Sequence, residues 1–226
     1  MIGDILPAGV PYADSRTDLP HAPLHPEEEQ HIALAVDVRR REFTTTRACA
    51  RKALAGLGVP SVPILPGRRG APQWPAGVVG SMTHCAGYRA AAVARADRTL
   101  TIGIDAEPNA PLPDGVLEAV AFPGEGDAVR SLARVNSAVC WDRLLFSAKE
   151  SVYKAWFPLT ERFIGFEEAT IDLDVGGDSR NRTSGEFLAE LLVEGPWPTG
   201  RRMTGRWTVR DGLICTAIVL PRQAVS

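Results

Sequence analysis

The sequence lacks most of the features that mark specialised classes of protein. Its 226 residues carry a net charge of −2, so the basic excess that is typical of a nucleic-acid-binding domain is missing. No stretch approaches the ~20 apolar residues that a membrane helix needs, and residues 1–14 lack the basic and apolar segments of a signal peptide. We therefore expect no nucleic-acid partner and no membrane association.

Cysteine is also scarce. The four cysteines, Cys49, Cys85, Cys140 and Cys215, lie far apart and form no CxxC pair. A zinc site or a disulfide framework is therefore not expected. Scattered thiols suit a reducing compartment, which predicts a cytoplasmic protein.

Turn-forming residues and hydrophobic spacing divide the first half into a helical segment followed by strands. Pro26 and the three acids after it mark a helix start, and the helical pattern continues to about Leu57 with a break near Asp37. A loop rich in proline and glycine then covers residues 59–77. Three strand-like runs follow it, at Val78–Thr83, Arg89–Arg95 and Leu100–Glu107.

The second half repeats the order of helix and then strands. Apolar residues at helical spacing predict a helix over Ser137–Phe157, which Pro158 should end. Each half thus combines one long helix with antiparallel strands, and this pattern predicts an α+β fold with a junction in residues 108–115. The candidate strands of this half are Ala169–Val175, Glu186–Val193, Gly205–Arg210 and Leu213–Leu220, the last two joined by an Asp211-Gly212 hairpin turn.

Two acids close the strand before Pro108. Asp105 and Glu107 are two residues apart, so their side chains project from the same side of the strand. They repel each other unless a cation lies between them, and oxygen ligands suit a hard ion such as Mg²⁺. The alternative is a pair of solvated acids at a strand end. Gly103, inside the same apolar strand, indicates close approach of another backbone.

The long helix offers a third carboxylate. Glu150 and Lys154 are four residues apart and share one helix face, and Lys149 and Tyr153 share the neighbouring face. Near Asp105, Glu150 would complete a magnesium site that leaves positions for phosphate and water. The alternative is a surface salt bridge on an amphipathic helix.

Two further groups of polar residues could bind phosphate. Ser81, Thr83 and His84 are short donors that follow the proline-rich loop, although a strand end with an exposed histidine explains them equally well. Residues 39–52 contain six basic residues and one acid, Glu42. Arginine forks match phosphate oxygens, but a solvated helix face is the alternative for this segment. The arginines near one helix face are Arg39, Arg47 and Arg51, and Arg68 and Arg69 in the loop could add to an anion site.

Three segments in this order resemble the signature motifs of Sfp-type 4′-phosphopantetheinyl transferases. They are GAPQWPAGVVGSMTH (70–84), IGIDAE (102–107) and FSAKESVYK (146–154). Residues 39–54 and WFPLT (156–160) are similar to the actinobacterial, EntD-like branch of that family. The resemblance implies two similar α+β subdomains, 1–108 and 109–226, related by a pseudo-twofold axis with the active site between them.

The resemblance also implies an enzyme, its substrates and its partners. A serine of an apo acyl or peptidyl carrier protein would attack the β-phosphate of coenzyme A and release adenosine 3′,5′-bisphosphate. Fatty acid, polyketide and non-ribosomal peptide carriers are all candidates, and the enzyme is expected to be a monomer. The carrier would dock around Tyr153–Phe163. Two other activities stay open: an Mg²⁺-dependent phosphodiesterase acting on coenzyme A or another nucleotide, and a non-catalytic coenzyme A binding module.

Residue by residue, the resemblance implies a metal centre and a coenzyme A site. Asp105, Glu107 and Glu150 would hold Mg²⁺, or Mn²⁺ in its place, and Glu150 would be the general base. Where the family often has a lysine, this chain has Pro66. The expected coenzyme A contacts are Lys149 and Lys154 at the pyrophosphate, Arg39, Arg47 and His84 at the 3′-phosphate, Gly67, Arg68, Arg69, Ser81 and Thr83 around the adenosine, and Ile164 at the pantetheine arm. The expected catalytic side chains are Glu150, Lys154, Asp105 and His84.

Overall fold

The computed structural model describes residues 1–174, 182–195 and 202–222, and it has the predicted α+β architecture. The last residue of the predicted strand Ala169–Val175 lies outside the described residues. Within them, no helix is both long enough and apolar enough to cross a bilayer. The helices are α1 (Pro26–Ile32), α2 (Asp37–Ala55), α3 (Val116–Val120), α4 (Glu125–Val135) and α5 (Trp141–Thr160), and the strands are β1 (Tyr12–Ser15), β2 (Val78–Cys85), β3 (Tyr88–Arg95), β4 (Thr99–Pro108), β5 (Ala169–Asp174), β6 (Ser184–Leu191), β7 (Arg202–Arg210) and β8 (Leu213–Pro221).

The predicted helix start and the predicted break in the first helical segment are both confirmed. Pro26 occupies the first turn of α1, and the backbone N–H of His25 donates to the Glu28 carboxylate at 3.0 Å in a capping box. The chain then breaks between Ile32 and Asp37, where α2 begins. Helix α2 packs its small and apolar face, which includes Ala50 and Leu54, on the first sheet.

The strands form two antiparallel sheets, ordered β1-β3-β2 and β4-β8-β7-β6-β5. Strand β4 follows β3 in the chain but pairs with β8 along residues 99–108. It therefore belongs to the first half by sequence and to the second sheet by hydrogen bonding, so the division at residue 108 stays a prediction. The predicted hairpin turn is confirmed, because Asp211 (φ 53°) and Gly212 (φ 74°) have the positive φ angles of a type I′ turn between β7 and β8.

Side-chain hydroxyls connect the two sheets where no ladder joins β2 to β4. The Ser81 hydroxyl accepts a hydrogen bond from the Ile104 N–H, and the Thr83 hydroxyl accepts one from the Ala106 N–H, both at 3.1 Å. Both hydroxyl side chains are buried, so they satisfy backbone donors that would otherwise lack partners. These bonds fix β4 against β2 immediately before Glu107.

Helix α5 crosses β4 at backbone contact distance, as Gly103 predicted. A Cβ atom at Gly103 would lie 2.0 Å from the carbonyl oxygen of Ser151 and 2.7 Å from the amide nitrogen of Ala155. The Thr101 hydroxyl adds a hydrogen bond of 2.8 Å to the Ala155 carbonyl. Glycine is therefore the residue that allows α5 to lie on the strand that carries the two acids.

The prediction that Pro158 ends the long helix is wrong. The helix starts at Trp141 and continues through Pro158 to Thr160. Proline removes one backbone hydrogen bond, but the Trp156 indole N–H donates to the Arg162 carbonyl at 2.9 Å and the Glu161 N–H to the Phe157 carbonyl at 2.8 Å. These two contacts hold the last turn in helical form.

The substitution Gly103→Ala should destabilise the protein by at least ~2 kcal/mol, because a methyl group there overpacks two backbones that cannot move apart cheaply. Urea denaturation followed by far-UV circular dichroism measures the change. The matched control is Gly126→Ala in α4, where the added methyl meets only the flexible Arg130 side chain at 3.3 Å. That variant should be neutral or up to ~1 kcal/mol more stable. Equal stability of the two variants would contradict the close approach.

Candidate active site

A cavity of about 430 Å³ lies between α1, α2, the proline-rich loop, β2, β4 and α5. One wall carries basic side chains and the other carries acids. Pro66, the position where this chain departs from the family pattern, also lines the cavity. The predicted site residues that the structure brings together here are Arg39, Arg47, Thr83, His84, Asp105, Glu107, Glu150 and Lys154.

Asp105 is the most firmly held of the acids. Its Oδ1 accepts hydrogen bonds from the Lys154 ammonium at 2.7 Å and the Thr83 hydroxyl at 3.2 Å, and its Oδ2 accepts one from the Ser147 hydroxyl at 2.8 Å. The side chain is buried, with 6% of its surface exposed. Helix α5 and strand β2 together therefore fix the orientation of this carboxylate.

Glu107 lies at the end of the same strand and pairs with an arginine. Its Oε2 accepts a hydrogen bond from Arg143 at 3.1 Å. Arg143 is itself anchored, because it also donates to the carbonyls of Ala110 at 3.1 Å and Pro111 at 2.9 Å. Burial and the negative charge of Asp105 raise the pKa of Glu107 to about 6, although Arg143 opposes the shift.

Glu150 projects from α5 into the same cavity. Burial raises its pKa, and the charge of Asp105 raises it further, whereas Lys154 acts in the opposite direction. Burial is the main cause of the raised pKa values of both Glu107 and Glu150, and the negative charge of Asp105 adds repulsion at each carboxylate. A cation placed among them would relieve this repulsion.

The chemistry of these donors fits a hard metal ion, because all three supply oxygen and none supplies nitrogen or sulfur. In the part of the chain that the structure describes, however, no three acid, histidine or cysteine side chains are grouped closely enough to hold a metal as they stand. Two carboxylates are instead engaged by the protein's own cations, Asp105 by Lys154 and Glu107 by Arg143. Metal binding would exchange these cations for the ion.

The basic wall is built from α2 and the end of β2. Arg47 is buried with its guanidinium 3.4 Å from the centroid of the Phe43 ring, and its Nε donates to the Ile64 carbonyl at 3.3 Å. Burial lowers the pKa of Arg47 to about 10, with Glu28 opposing, so this side chain stays charged at neutral pH. A desolvated charge at a cavity wall is a strong anchor for an anion.

Arg39 and His84 meet at the mouth of the cavity. The Arg39 Nη1 and the His84 Nε2 are 2.9 Å apart, and the Glu42 carboxylate lies 3.7 Å from the His84 Nδ1. Burial lowers the pKa of His84, and the neighbouring cations Arg39, Lys154 and Arg89 lower it further, while Glu42 opposes them.

Several residues that were predicted to contact coenzyme A do not line this cavity. Lys149 forms a buried ion pair with Glu125 at 2.8 Å and also donates to the carbonyls of Val120 and Phe166. Successive helix residues point about 100° apart, so Lys149 faces α3 and α4 while Glu150 faces the cavity. Ile164 is buried in the core of the second half, and Arg51 pairs with Glu28 instead of facing the cavity.

The proline-rich loop separates this cavity from a smaller one of about 150 Å³. Arg69, with φ of 53°, places its guanidinium 4.9 Å from the centroid of the Phe163 ring, and the exposed Arg68 pairs with Glu161 at 2.8 Å. Lys154 lines both cavities. The smaller cavity is mostly apolar and is lined by Arg69, Gly70, Ala71, Pro72, Trp74, Gly80, Ser81, Met82, Tyr153, Lys154, Phe157 and Pro158.

Sequence reasoning missed two charged residues of the site. Arg143 lies seven residues before Glu150, two helical turns away on the same face, and this spacing was a usable signal. Glu42 is the one acid among the six basic residues of segment 39–52, and its isolation was a signal as well. Phe43 and Phe146 also line the cavity, but their apolar side chains carry no sequence mark that separates them from core residues.

Comparison with known proteins agrees with the geometry. The family model described as the 4′-phosphopantetheinyl transferase N-terminal domain matches residues 27–94, and that of the 4′-phosphopantetheinyl transferase superfamily matches residues 101–209. The chain is 52% identical to the 4′-phosphopantetheinyl transferase Svp of Streptomyces mobaraensis, over 99% of this chain and 91% of that protein. It is 51% identical to Npt of Nocardia iowensis (96% and 99% covered) and 49% identical to PptT of Mycobacterium tuberculosis (97% and 98% covered). The chain therefore belongs to the 4′-phosphopantetheinyl transferase superfamily, as its three motifs predicted.

Proposed function

We propose that this cavity is the active site in which the protein transfers the 4′-phosphopantetheine arm of coenzyme A to a serine of an apo carrier protein. Membership of the superfamily supports the reaction and its coenzyme A substrate. The observation that carries the assignment is the arrangement of charge, with cations on the α2 wall facing three carboxylates from β4 and α5 across one cavity. A pyrophosphate that binds together with a metal ion needs cations for its oxygens and carboxylates for the metal, and the two walls supply them.

Asp105, Glu107 and Glu150 would hold a magnesium ion, with manganese as an alternative. When bound, the ion supplies positive charge to the phosphate oxygens and orients them for attack. The support for this assignment is the all-oxygen donor set together with the raised pKa values of Glu107 and Glu150, which a cation would reverse.

The basic residues divide the phosphates of coenzyme A between them. Arg39, Arg47 and His84 would bind the 3′-phosphate, and Lys154 would bind the pyrophosphate, since it lies between the metal-binding acids and the smaller cavity. Pro66, Gly67 and Thr83 would surround the adenosine. Arg68 and Arg69, which were predicted there, instead lie against Glu161 and Phe163, and Arg69 lines the smaller cavity. Lys149 is left out of this set, because its ammonium already has a carboxylate and two carbonyl partners.

The smaller cavity would accommodate the pantetheine arm. Its mostly apolar lining with a few polar groups suits a chain of methylenes and amides. Ser81 lies on its wall with the hydroxyl engaged by β4, and Ile164 supports the structure from the core. The arm would then extend from Lys154 toward Tyr153 and Phe157.

Glu150 is the proposed general base for the carrier serine. Its raised pKa makes it a better proton acceptor than an ordinary carboxylate, and it lies in the cavity beside Lys154. As the serine oxygen bonds to the β-phosphorus, the bond to the bridging oxygen breaks and adenosine 3′,5′-bisphosphate leaves. Lys154 is placed to stabilise the charge that develops on the leaving phosphate, and His84 and Arg39 hold its far end.

The carrier protein would dock beside the smaller cavity, along Tyr153–Phe163. Phe163 is half exposed there, and its ring centroid is 5.6 Å from that of Tyr153. Acyl carriers of fatty acid synthesis and carriers of polyketide and non-ribosomal peptide synthesis are the proposed partners. The enzyme would act as a cytoplasmic monomer, since both walls of the cavity come from one chain.

The substitution Glu107→Gln should lower transfer at least ~100-fold, because it removes a metal ligand, and even residues that only support metal ligands are worth 10–100-fold. Intact-mass measurement of an apo carrier after incubation with coenzyme A and Mg²⁺ measures the rate. Glu118→Gln on the exposed side of α3 makes the same change of charge and should leave the rate unaltered. Normal turnover by the Glu107 variant would contradict the metal assignment.

Magnesium binding should depend on pH through Glu107. Its pKa of about 6 in the metal-free protein means that Mg²⁺ displaces about half a proton from Glu107 at pH 6 and almost none at pH 8, so affinity falls as the pH drops through 6. Calorimetric titration of Mg²⁺ in two buffers with different ionisation enthalpies counts the protons released. Glu107→Gln should lose most of the release at pH 6. Equal proton counts at pH 6 and pH 8 in the unaltered protein would contradict the role of Glu107.

Coenzyme A and Mg²⁺ without a carrier should give no adenosine 3′,5′-bisphosphate, because the nucleophile belongs to the carrier serine. Chromatography of the nucleotides after prolonged incubation measures the product. Adding an apo carrier should release one bisphosphate for each carrier modified, and a carrier with Ser→Ala at the modified position serves as the control. Release without any carrier would favour the phosphodiesterase alternative.

A further inference from the structure

Glu42 is a carboxylate among the cations that we assign to phosphate binding. Its oxygens lie 3.7 Å from the His84 Nδ1, 3.9 Å from the Arg39 Nη1 and 3.7 Å from the Arg89 Nη2. The side chain is 19% exposed, so its charge is only partly screened by water. An acid in this position repels a bound phosphate, and the mechanism above gives it no task.

Neutralising Arg89 does not explain Glu42. Arg89 already pairs with Asp18 at 3.0 Å and donates to the carbonyls of Cys85 and Tyr88. Its distance to Glu42 is longer than its distance to Asp18. Among the described residues, Arg39 and His84 face Glu42 without another acid beside them, and His84 is the nearer of the two.

The contact between Arg39 and His84 defines the protonation state of the imidazole. A guanidinium has donors and no acceptor, so a hydrogen bond of 2.9 Å from the Arg39 Nη1 requires a lone pair on the His84 Nε2. The ring is therefore neutral, with its hydrogen on Nδ1, on the side of Glu42. Burial and the charges of Arg39, Lys154 and Arg89 also lower the pKa of His84, which agrees with this assignment.

In this form, the two residues cannot both donate to a phosphate. The His84 Nε2 has no hydrogen to offer, and the Arg39 Nη1 is directed at the ring. A phosphate that accepts from both would have to turn Arg39 away and bring a proton to Nε2. The imidazole would then be charged, with Nδ1–H directed to Glu42 and Nε2–H to the phosphate, and each anion would stabilise the cation between them.

We propose that Glu42 is a positioning residue that couples recognition of the 3′-phosphate to protonation of His84. The proton comes from solvent and forms the Nε2–H bond, and no other bond is made or broken. The charged groups that face His84 are Glu42 and Arg39 on α2, Arg89 on β3 and Lys154 on α5. Among them Glu42 alone favours the imidazolium, so the bound phosphate and Glu42 together overcome the three cations.

The consequence is a preference for coenzyme A over dephospho-coenzyme A that grows as the pH falls toward 7. The dephosphorylated compound brings no second anion to His84, so it binds without taking up a proton. This inference rests on the proposed function, because it requires the 3′-phosphate to lie at Arg39 and His84. The proposed function and this inference can fail separately. The enzyme could transfer phosphopantetheine normally even if replacing Glu42 left the number of protons taken up unchanged.

Calorimetric titration of the full chain with coenzyme A and with dephospho-coenzyme A, each with saturating Mg²⁺ at pH 7.5, tests the proposal. Runs in two buffers of different ionisation enthalpy count the protons taken up. A phosphate monoester has its second pKa near 6 and is already a dianion at pH 7.5, so an uptake belongs to the protein. We expect uptake of most of one proton per coenzyme A and no uptake with dephospho-coenzyme A. The proton count for dephospho-coenzyme A is subtracted from that for coenzyme A, which removes any contribution from the metal.

Two variants and a control complete the titration. His84→Gln should abolish the uptake, and Glu42→Gln should reduce it by at least half, because the imidazolium loses one of its two anions. Glu27→Gln, an exposed acid on α1, makes the same change of charge and should leave the uptake unaltered. The same uptake in Glu42→Gln as in the unaltered protein, or any uptake in His84→Gln, overturns the proposal. Equal affinity of the unaltered protein for both ligands overturns it too, and with it the 3′-phosphate assignment.

Nitrogen NMR of the imidazoles gives a second readout that does not depend on affinity. The chain has four histidines, so His84→Gln assigns the His84 signals directly. In the free protein, long-range ¹H–¹⁵N spectra should show Nδ1 protonated and Nε2 bare, and both should be protonated after coenzyme A binds. A free protein in which Nε2 carries the hydrogen, or a bound imidazole that stays neutral, contradicts the proposal.

Discussion

The contact between the α5 backbone and Gly103 of β4 is the constraint on which the site depends. It brings the helix close enough for Lys154 and Ser147 to reach the Asp105 carboxylate, while Thr83 reaches the same group from β2. A buried carboxylate is stable only when it is paired and hydrogen-bonded. The sequence around Asp105 therefore carries both the acid and the means of burying it, and the same packing brings Glu150 to the cavity.

Several charges that line the cavity have a counter-charge from the protein itself. Arg143 and Lys154 balance the acids that would bind a metal, and Glu42 balances the basic residues that would bind phosphate. Ligand binding then becomes an exchange of partners, which lowers the desolvation penalty of the free site. Burial keeps the pKa values of Glu107 and Glu150 raised even with these cations nearby.

Local patterns in the sequence predicted the long helices, most of the strands and the acids of the site, but not β1, α3 or α4. The break before Asp37, the close approach at Gly103 and the shared direction of Asp105 and Glu107 depend on neighbouring residues, so they could be read directly. Features that depend on distant parts of the chain could not be predicted from the sequence. The pairing of β4 with β8 joins residues more than 100 positions apart, and the continuation of α5 through Pro158 depends on how Trp156 contacts Arg162.

The site shows the same division between local and distant information. Lys149 and Glu150 are adjacent in the third motif, yet one is consumed by a buried pair with Glu125 and the other faces the cavity. Helix geometry directs the two side chains about 100° apart, but which of them meets a carboxylate depends on the position of α4, which the motif does not encode. Conversely, Arg143 and Glu42 have their partners, Glu107 and His84, on strands that are distant in sequence. The charge of each residue is evident from the sequence, but the partner that it contacts is not.

We propose that one cavity binds the metal between β4 and α5 and the 3′-phosphate against α2. Anomalous diffraction from crystals grown with coenzyme A and Mn²⁺ tests this arrangement most directly, because manganese is located without assumptions about the ligands. We expect one strong peak within coordination distance of Asp105, Glu107 and Glu150, with the 3′-phosphate at Arg39 and His84. A metal bound elsewhere, or a nucleotide that leaves the α2 wall empty, would contradict it.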